Sequence, residues 1–120
     1  MNSPSIRFAP ATASLPGRRA VMTATRTLDW EECAKPEARP GQVVIRTIRS
    51  LISPGTELAF WNGTHAALSD PTNRWAKYPF RPGYAAVGEI VGIGAGVTGH
   101  VLGQRIACDG PHAAFAGIDP

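Results

Sequence analysis

Apolar residues along this chain fall in short runs of alternating character, cut by glycine and proline, and only one stretch carries helix signals. The first strand-like run is RAVMTAT from Arg19, followed closely by LDWEEC, in which Leu28, Trp30 and Glu32 share a face. KPEARPGQ supplies Pro36, Pro40 and Gly41 for a loop. QVVIRTI then sets Val43, Ile45 and Thr47 against Val44, Arg46 and Ile48, the pattern of a half-buried strand. A longer β-rich run, Ala85 to Ile93, is entered through Pro82-Gly83. It leaves through a glycine-rich turn into a second short run, Arg105 to Cys108, and AAFAGID ends the series as one more strand.

The helix signals lie between Ile52 and Gly63. Ser53 is placed as N-cap, Pro54 suits the first helical position, Glu57 favours the positive end and Gly63 can close the other, predicting one short helix over Thr56 to Trp61. Thr64 to Lys77 is polar, without a clear period, and reads as a surface loop of the sort that lines sites. Met1 to Gly17 shows neither period and reads as a loose leader, leaving one domain over 18–120.

GAGVTG, Gly94 to Gly99, matches the G-x-G-x-x-G dinucleotide fingerprint letter for letter. That motif binds a pyrophosphate only where its glycines open a helix, whose free N–H groups hold the anion. HVLGQRIAC follows here, with Gly103 interrupting any helical period, so a turn between two strands is the stronger reading and no cofactor is expected on this turn.

Composition changes the picture little. Thirteen glycines and eleven prolines favour turns and short strands, and 120 residues suffice for one domain. The net charge is +3, but the basic residues are scattered and not interleaved with aromatics, which argues against a nucleic-acid surface. Arg18-Arg19 lacks the apolar run that a twin-arginine signal needs, and no apolar stretch approaches membrane-spanning length. Cys33 and Cys108 are read as reduced small hydrophobes, and the expected location is cytoplasmic.

Taken in order, QVVIRTI, ISPGTELAFWNG, YPFRPGYAAVGEIVGIGAGV, GQRIA and PHAAFAGID resemble the N-terminal, GroES-like catalytic domain of the medium-chain dehydrogenase/reductase superfamily. Ser-Pro-Gly-Thr-Glu and Pro-Gly-Tyr are most similar to the branch with bacteriochlorophyllide, sorbitol and threonine dehydrogenase-like proteins. The resemblance implies a mainly β fold, a GroES-like distorted β-barrel with one or two short helices. It implies the substrate side of an NAD(P)-dependent alcohol dehydrogenase-like oxidoreductase, completed by a nucleotide-binding Rossmann domain or subunit. NAD(P)H is thus implied for a complete enzyme, and no activity is expected from this chain alone. The implied partners are a small-molecule alcohol or carbonyl substrate and that nucleotide-binding half, with a homo-oligomer open. The alternatives are a non-catalytic GroES-like interaction module and a co-chaperonin. The absence of an apolar tripeptide from the loop after Leu51 disfavours the latter.

Two departures from the family pattern predict no metal. Ser53 stands where zinc-dependent members carry a cysteine ligand, and Gly83-Tyr84-Ala85 stands where they carry Gly-His-Glu. The resemblance makes Thr56, Glu57 and Tyr84 the catalytic candidates: Thr56 as the proton-relaying hydroxyl, Glu57 as the acid by the cleft, Tyr84 as a hydrogen-bond donor or general acid. Without it they read as a helix-start hydroxyl, a solvated first-turn carboxylate and a partly buried aromatic of the cleft wall. His65, His100 and His112 share no ligand spacing and read as loop or strand-end residues. Trp61, Trp75 and Phe80 are candidates to line a pocket.

Overall fold

The computed structural model describes the backbone of Ser5–Ile6 and all of residues 17–120. Seven strands occur among them: β1 (Ser5–Ile6), β2 (Arg18–Ala24), β3 (Thr27–Glu32), β4 (Val43–Ser50), β5 (Ala86–Ile93), β6 (Arg105–Cys108) and β7 (Phe115–Ile118). Helix α1 spans Thr56–Asn62 and a 3-10 turn spans Ala66–Ser69. The strands form two sheets, in the orders β1-β3-β2 and β6-β5-β4-β7, antiparallel except for β1 beside β3. Most of the expected leader falls outside the described residues. Within it, Ser5–Ile6 pairs with Thr27 and Leu28.

Strand β4 is the centre of the larger sheet, hydrogen-bonded to β5 on one side and β7 on the other. The alternation expected of QVVIRTI is therefore not seen: Val43, Val44 and Ile45 are all fully buried, Arg46 is exposed, and Thr47 and Ile48 are both partly buried. Val43 and Ile45 pack with Ile90, Ala116 and Ile118, while Val44 lies with Ala38 over Gly92 on the other face. A central strand covered on both faces loses its polar alternation.

The second cluster joins Met22, Phe60 and Ala76, with Leu28, Trp61, Tyr78 and Phe80 against it. Phe60 is fully buried and stacks on Phe80, with ring centroids 3.7 Å apart. Backbone hydrogen bonds in both directions between Met22 and Phe80, of 2.7 and 2.8 Å, fix the smaller sheet to the segment before β5. The Thr64 to Lys77 stretch departs from a plain surface loop: it carries the 3-10 turn and buries Ala76. Asn73 orders it, its amide donating to the Ala67 and Ala76 carbonyls and accepting from the N–H groups of Trp75 and Ala76.

A three-residue ion cluster ties the smaller sheet further to the segment before β5. Glu31 on β3 accepts from Arg19 Nε on β2 at 2.8 Å and from both Nε and Nη2 of Arg81. The Arg81 and Arg19 guanidinium groups hold the Glu31 carboxyl below its ordinary range, with Arg81 the larger influence. A carboxyl lowered in the folded state stabilises the fold above its unfolded pKa, and that contribution is lost as pH falls through the folded value. The expected result is therefore an acid-side loss that sets in as pH falls through the ordinary glutamate value, about 4.3, continues below it, and is absent from Glu31→Gln. The groups are part-exposed, so the loss in melting temperature should be a few degrees at most and should shrink with added salt; thermal melts at two pH values and two salt concentrations check it.

Candidate active-site cleft

Helix α1 begins two residues later than Ser53 as N-cap would require. Its N-cap is Gly55, which has no side chain to offer, and Ser53 and Pro54 lie in the turn before it. Pro54 keeps the preceding residue out of helical backbone, so Ser53 cannot join the first turn. Glu57 reaches back instead: its Oε2 accepts the Ser53 backbone N–H at 2.6 Å, across the turn that precedes the helix. At the other end Gly63 closes the helix as expected, in left-handed backbone at φ 72°, its N–H returning to Ala59 and Phe60.

That back-reach carries Glu57 inward. It is only 4% exposed, which corrects the solvated-carboxylate reading. Its other oxygen, Oε1, lies 2.6 Å from His112 Nε2, and His112 Nδ1 lies 2.6 Å from Ser50 Oγ. Ser50 at the end of β4, His112 in the loop before β7 and Glu57 on α1 thus form one hydrogen-bonded chain. A buried carboxylate is costly unless so paired, and here each of its oxygens has a donor.

This chain forms the polar corner of a cavity of about 590 Å³. Met22 and Leu28 from the smaller sheet, Trp30, Ile52, Leu58 and Trp61 give it apolar walls. Ile52 and Leu58 are strongly exposed along it, at 72% and 51%. Large pockets with apolar walls and few convergent polar groups are the usual form of a small-molecule site.

Of the three sequence candidates, only Glu57 lines the cavity. Thr56 is exposed on the first turn of α1, and Tyr84 is 52% exposed just before β5. The structure does not bring these two to the Glu57 corner. Trp61 lines the cavity, whereas Phe80 stacks on Phe60 and Trp75 lies edgewise to His65. His112 and Ser50 were missed. His112 is a loop residue as expected, but its ring is bonded into the site, and no spacing in the sequence links positions 50, 57 and 112.

Two family cofactors can be tested against these residues. Among the described residues no three His, Cys, Asp or Glu side chains gather as a metal site would need, so the side chains present do not fit a zinc ion. GAGVTG forms the connection from β5 toward β6, and no helix follows it. Gly94 donates its N–H to the Gln42 carbonyl at 2.7 Å, and a Cβ there would lie 1.8 Å from the Arg39 oxygen. Gly94 is thus packed on its own chain, and without a helix behind it the turn does not fit a pyrophosphate.

The alcohol dehydrogenase GroES-like domain family matches residues 39–116, which takes in β4, α1, β5, the glycine turn, β6 and the first half of β7. The chain belongs to this family. Among curated relatives, the L-threonine 3-dehydrogenase of Sinorhizobium medicae is 33% identical over 84 residues, which is 67% of this chain and 22% of the relative. The 2-desacetyl-2-hydroxyethyl bacteriochlorophyllide A dehydrogenase of Cereibacter sphaeroides is 33% identical over 99 residues, 82% of this chain and 29% of the relative. This GroES-like domain thus spans less than a third of the length of either. Solved structures agree on the fold: the quinone oxidoreductase from Coxiella burnetii matches at TM-score 0.69 and 18% identity, over 87% of this chain and 35% of that one. An alcohol dehydrogenase superfamily protein from Novosphingobium aromaticivorans matches at TM-score 0.68 and 22% identity, over 86% and 32%. The fold is the mainly β, GroES-like one of medium-chain dehydrogenases/reductases. No helix among the described residues is long and apolar enough to cross a membrane.

Proposed function

We propose that this domain is the substrate side of an NAD(P)-dependent alcohol dehydrogenase-like oxidoreductase, active when joined to a nucleotide-binding half that holds the dinucleotide. The observation that carries the reading is the apolar cavity with a single polar corner, Ser50, His112 and Glu57, in a domain of this family. The walls take up the carbon skeleton of a substrate and the corner orients its one oxygen by hydrogen bonding. Among the described side chains that line the cavity, no Lys or Arg is available to hold a carboxylate. The substrate is therefore a bulky apolar alcohol or carbonyl compound and not an amino acid.

Supplying the nucleotide-binding half, by fusion or as the longer protein, tests this. Following nicotinamide absorbance, apolar aryl alcohols and ketones should turn over and threonine should not. Turnover of threonine would overturn the apolar-substrate reading, and turnover of none of these with either NAD or NADP would replace the enzyme with the non-catalytic module.

A further inference from the structure

The hydrogen-bond directions in the polar corner can be worked out from the donors and acceptors alone. Glu57, as a carboxylate, can only accept, and Oε2 already takes the Ser53 N–H. The hydrogen between Oε1 and His112 therefore sits on Nε2. A neutral imidazole has only one N–H, so Nδ1 is then bare and must accept the Ser50 hydroxyl hydrogen. In that state Ser50 Oγ has only lone pairs left for a ligand. In an imidazolium Nδ1 also carries hydrogen and donates it to Ser50 Oγ, which frees the Ser50 hydroxyl hydrogen to point elsewhere.

We propose that the Ser50–His112–Glu57 chain selects the oxidation state of the cavity's ligand by one proton: with neutral His112 it accepts an alcohol O–H, and with protonated His112 it donates to a carbonyl oxygen. The proposal rests on reading the cavity as the substrate site and adds to it a rule for which member of an alcohol–ketone pair is held. The charged groups on the elements around His112 are few. Glu57 on α1 is its direct partner. Arg18 and Arg19 come from β2, Arg46 and Arg49 from β4, Arg81 from the segment before β5, and Asp109 from its own loop. Arg19 and Arg81 are held by Glu31, Arg46 pairs with Glu89 and Arg49 donates to the Ile48 carbonyl. Among the described residues, Glu57 and His112 are the titratable groups that line the cavity.

Replacing Glu57 by glutamine sharpens the test. The Ser53 N–H fixes the amide oxygen where Oε2 was, so the amide nitrogen faces His112 Nε2 and donates to it. The imidazole proton then moves to Nδ1 and donates to Ser50. Glu57→Gln should thus hold the carbonyl-selecting state without any added proton.

Benzhydrol and benzophenone, an apolar alcohol and its ketone, are suitable probes. Their binding to the full chain would be followed by NMR through the indole N–H signals of Trp30 and Trp61, while the His112 ring signals report its protonation and tautomer. The ratio of the two affinities should change about tenfold in favour of the alcohol across whatever pH range the His112 ring signals show to be that in which it loses its proton. Glu57→Gln should favour the ketone throughout, and Ser50→Ala should give a ratio independent of pH. A wild-type ratio that does not follow His112 protonation, or one that follows it equally in Ser50→Ala, overturns the proposal while leaving the substrate-site reading in place. Failure of both probes to bind at any pH overturns both.

Discussion

Phe60→Ala is expected to destabilise the domain by about 3–5 kcal/mol, a fall in melting temperature of roughly 10–20 °C. Phe60 is fully buried between Phe80, stacked at 3.7 Å, and His65, stacked at 4.6 Å, with Met22 and Ala76 in the same cluster. Its neighbours come from β2, the 3-10 region and the segment before β5. They are held in place by backbone hydrogen bonds, so they cannot collapse into the space that a missing ring leaves. The consequence extends to the cavity, because Phe60 is on the same two turns of α1 as Glu57, Leu58 and Trp61. Thermal melts measure the stability loss. Addition of benzene, which can enter an apolar void of ring size, should recover part of it. A loss under about 1 kcal/mol would mean that α1 is not anchored through this residue.

Gly94→Ala should cost about 3 kcal/mol or more, and Gly96→Ala only about 1 kcal/mol, although both glycines belong to the same G-x-G-x-x-G letters. At Gly94 a methyl group would meet the Arg39 carbonyl oxygen at 1.8 Å and the Gln42 oxygen at 2.8 Å, both backbone atoms. The loop before β4 would have to move away and break the bond from Gly94 N–H to Gln42 O. At Gly96 nothing lies within 4 Å, and the cost is that of a side chain at φ +82°. A phosphate site would reverse the interest of the two positions, with nucleotide binding lost at Gly96 and little said of folding. Chemical denaturation of both variants decides it: equal losses would remove the packing explanation for Gly94.

The fold was legible because its signals are local. Val43 to Ile48, Ala85 to Ile93 and Arg105 to Cys108 alternate or run apolar between glycines and prolines, and the strands appear there. The helix was legible from Gly63 and Glu57 but not from Ser53, since a hydroxyl before proline looks like a cap whether or not it makes the bond. The candidate site was legible only in Glu57. Its partners are brought together by sheet pairing: β4 places Ser50 beside Ala86, and the loop before β7 places His112 through its N–H bond to the Pro82 carbonyl. Such convergence leaves no mark in spacing. Likewise the burial of Val44 depends on the loop at Ala38, which no period within the strand records.

The position of β4 also governs how the chain can reach this state. β4 emerges early from a ribosome, yet one of its partners, Phe115–Ile118, is made only at the far end of the described chain, where Val43 meets Ile118. Until then β4 has an open edge on its β7 side, and Val43 and Ile45 lack Ala116 and Ile118, which is the condition under which nascent strands pair with the wrong partner. Closure of so distant a pair makes refolding slow for a domain of this size, on the scale of milliseconds to seconds typical of non-local β topologies. Synthesis halted before residue 115 should leave a chain that depends on holding chaperones, and release of the last strand should set it free.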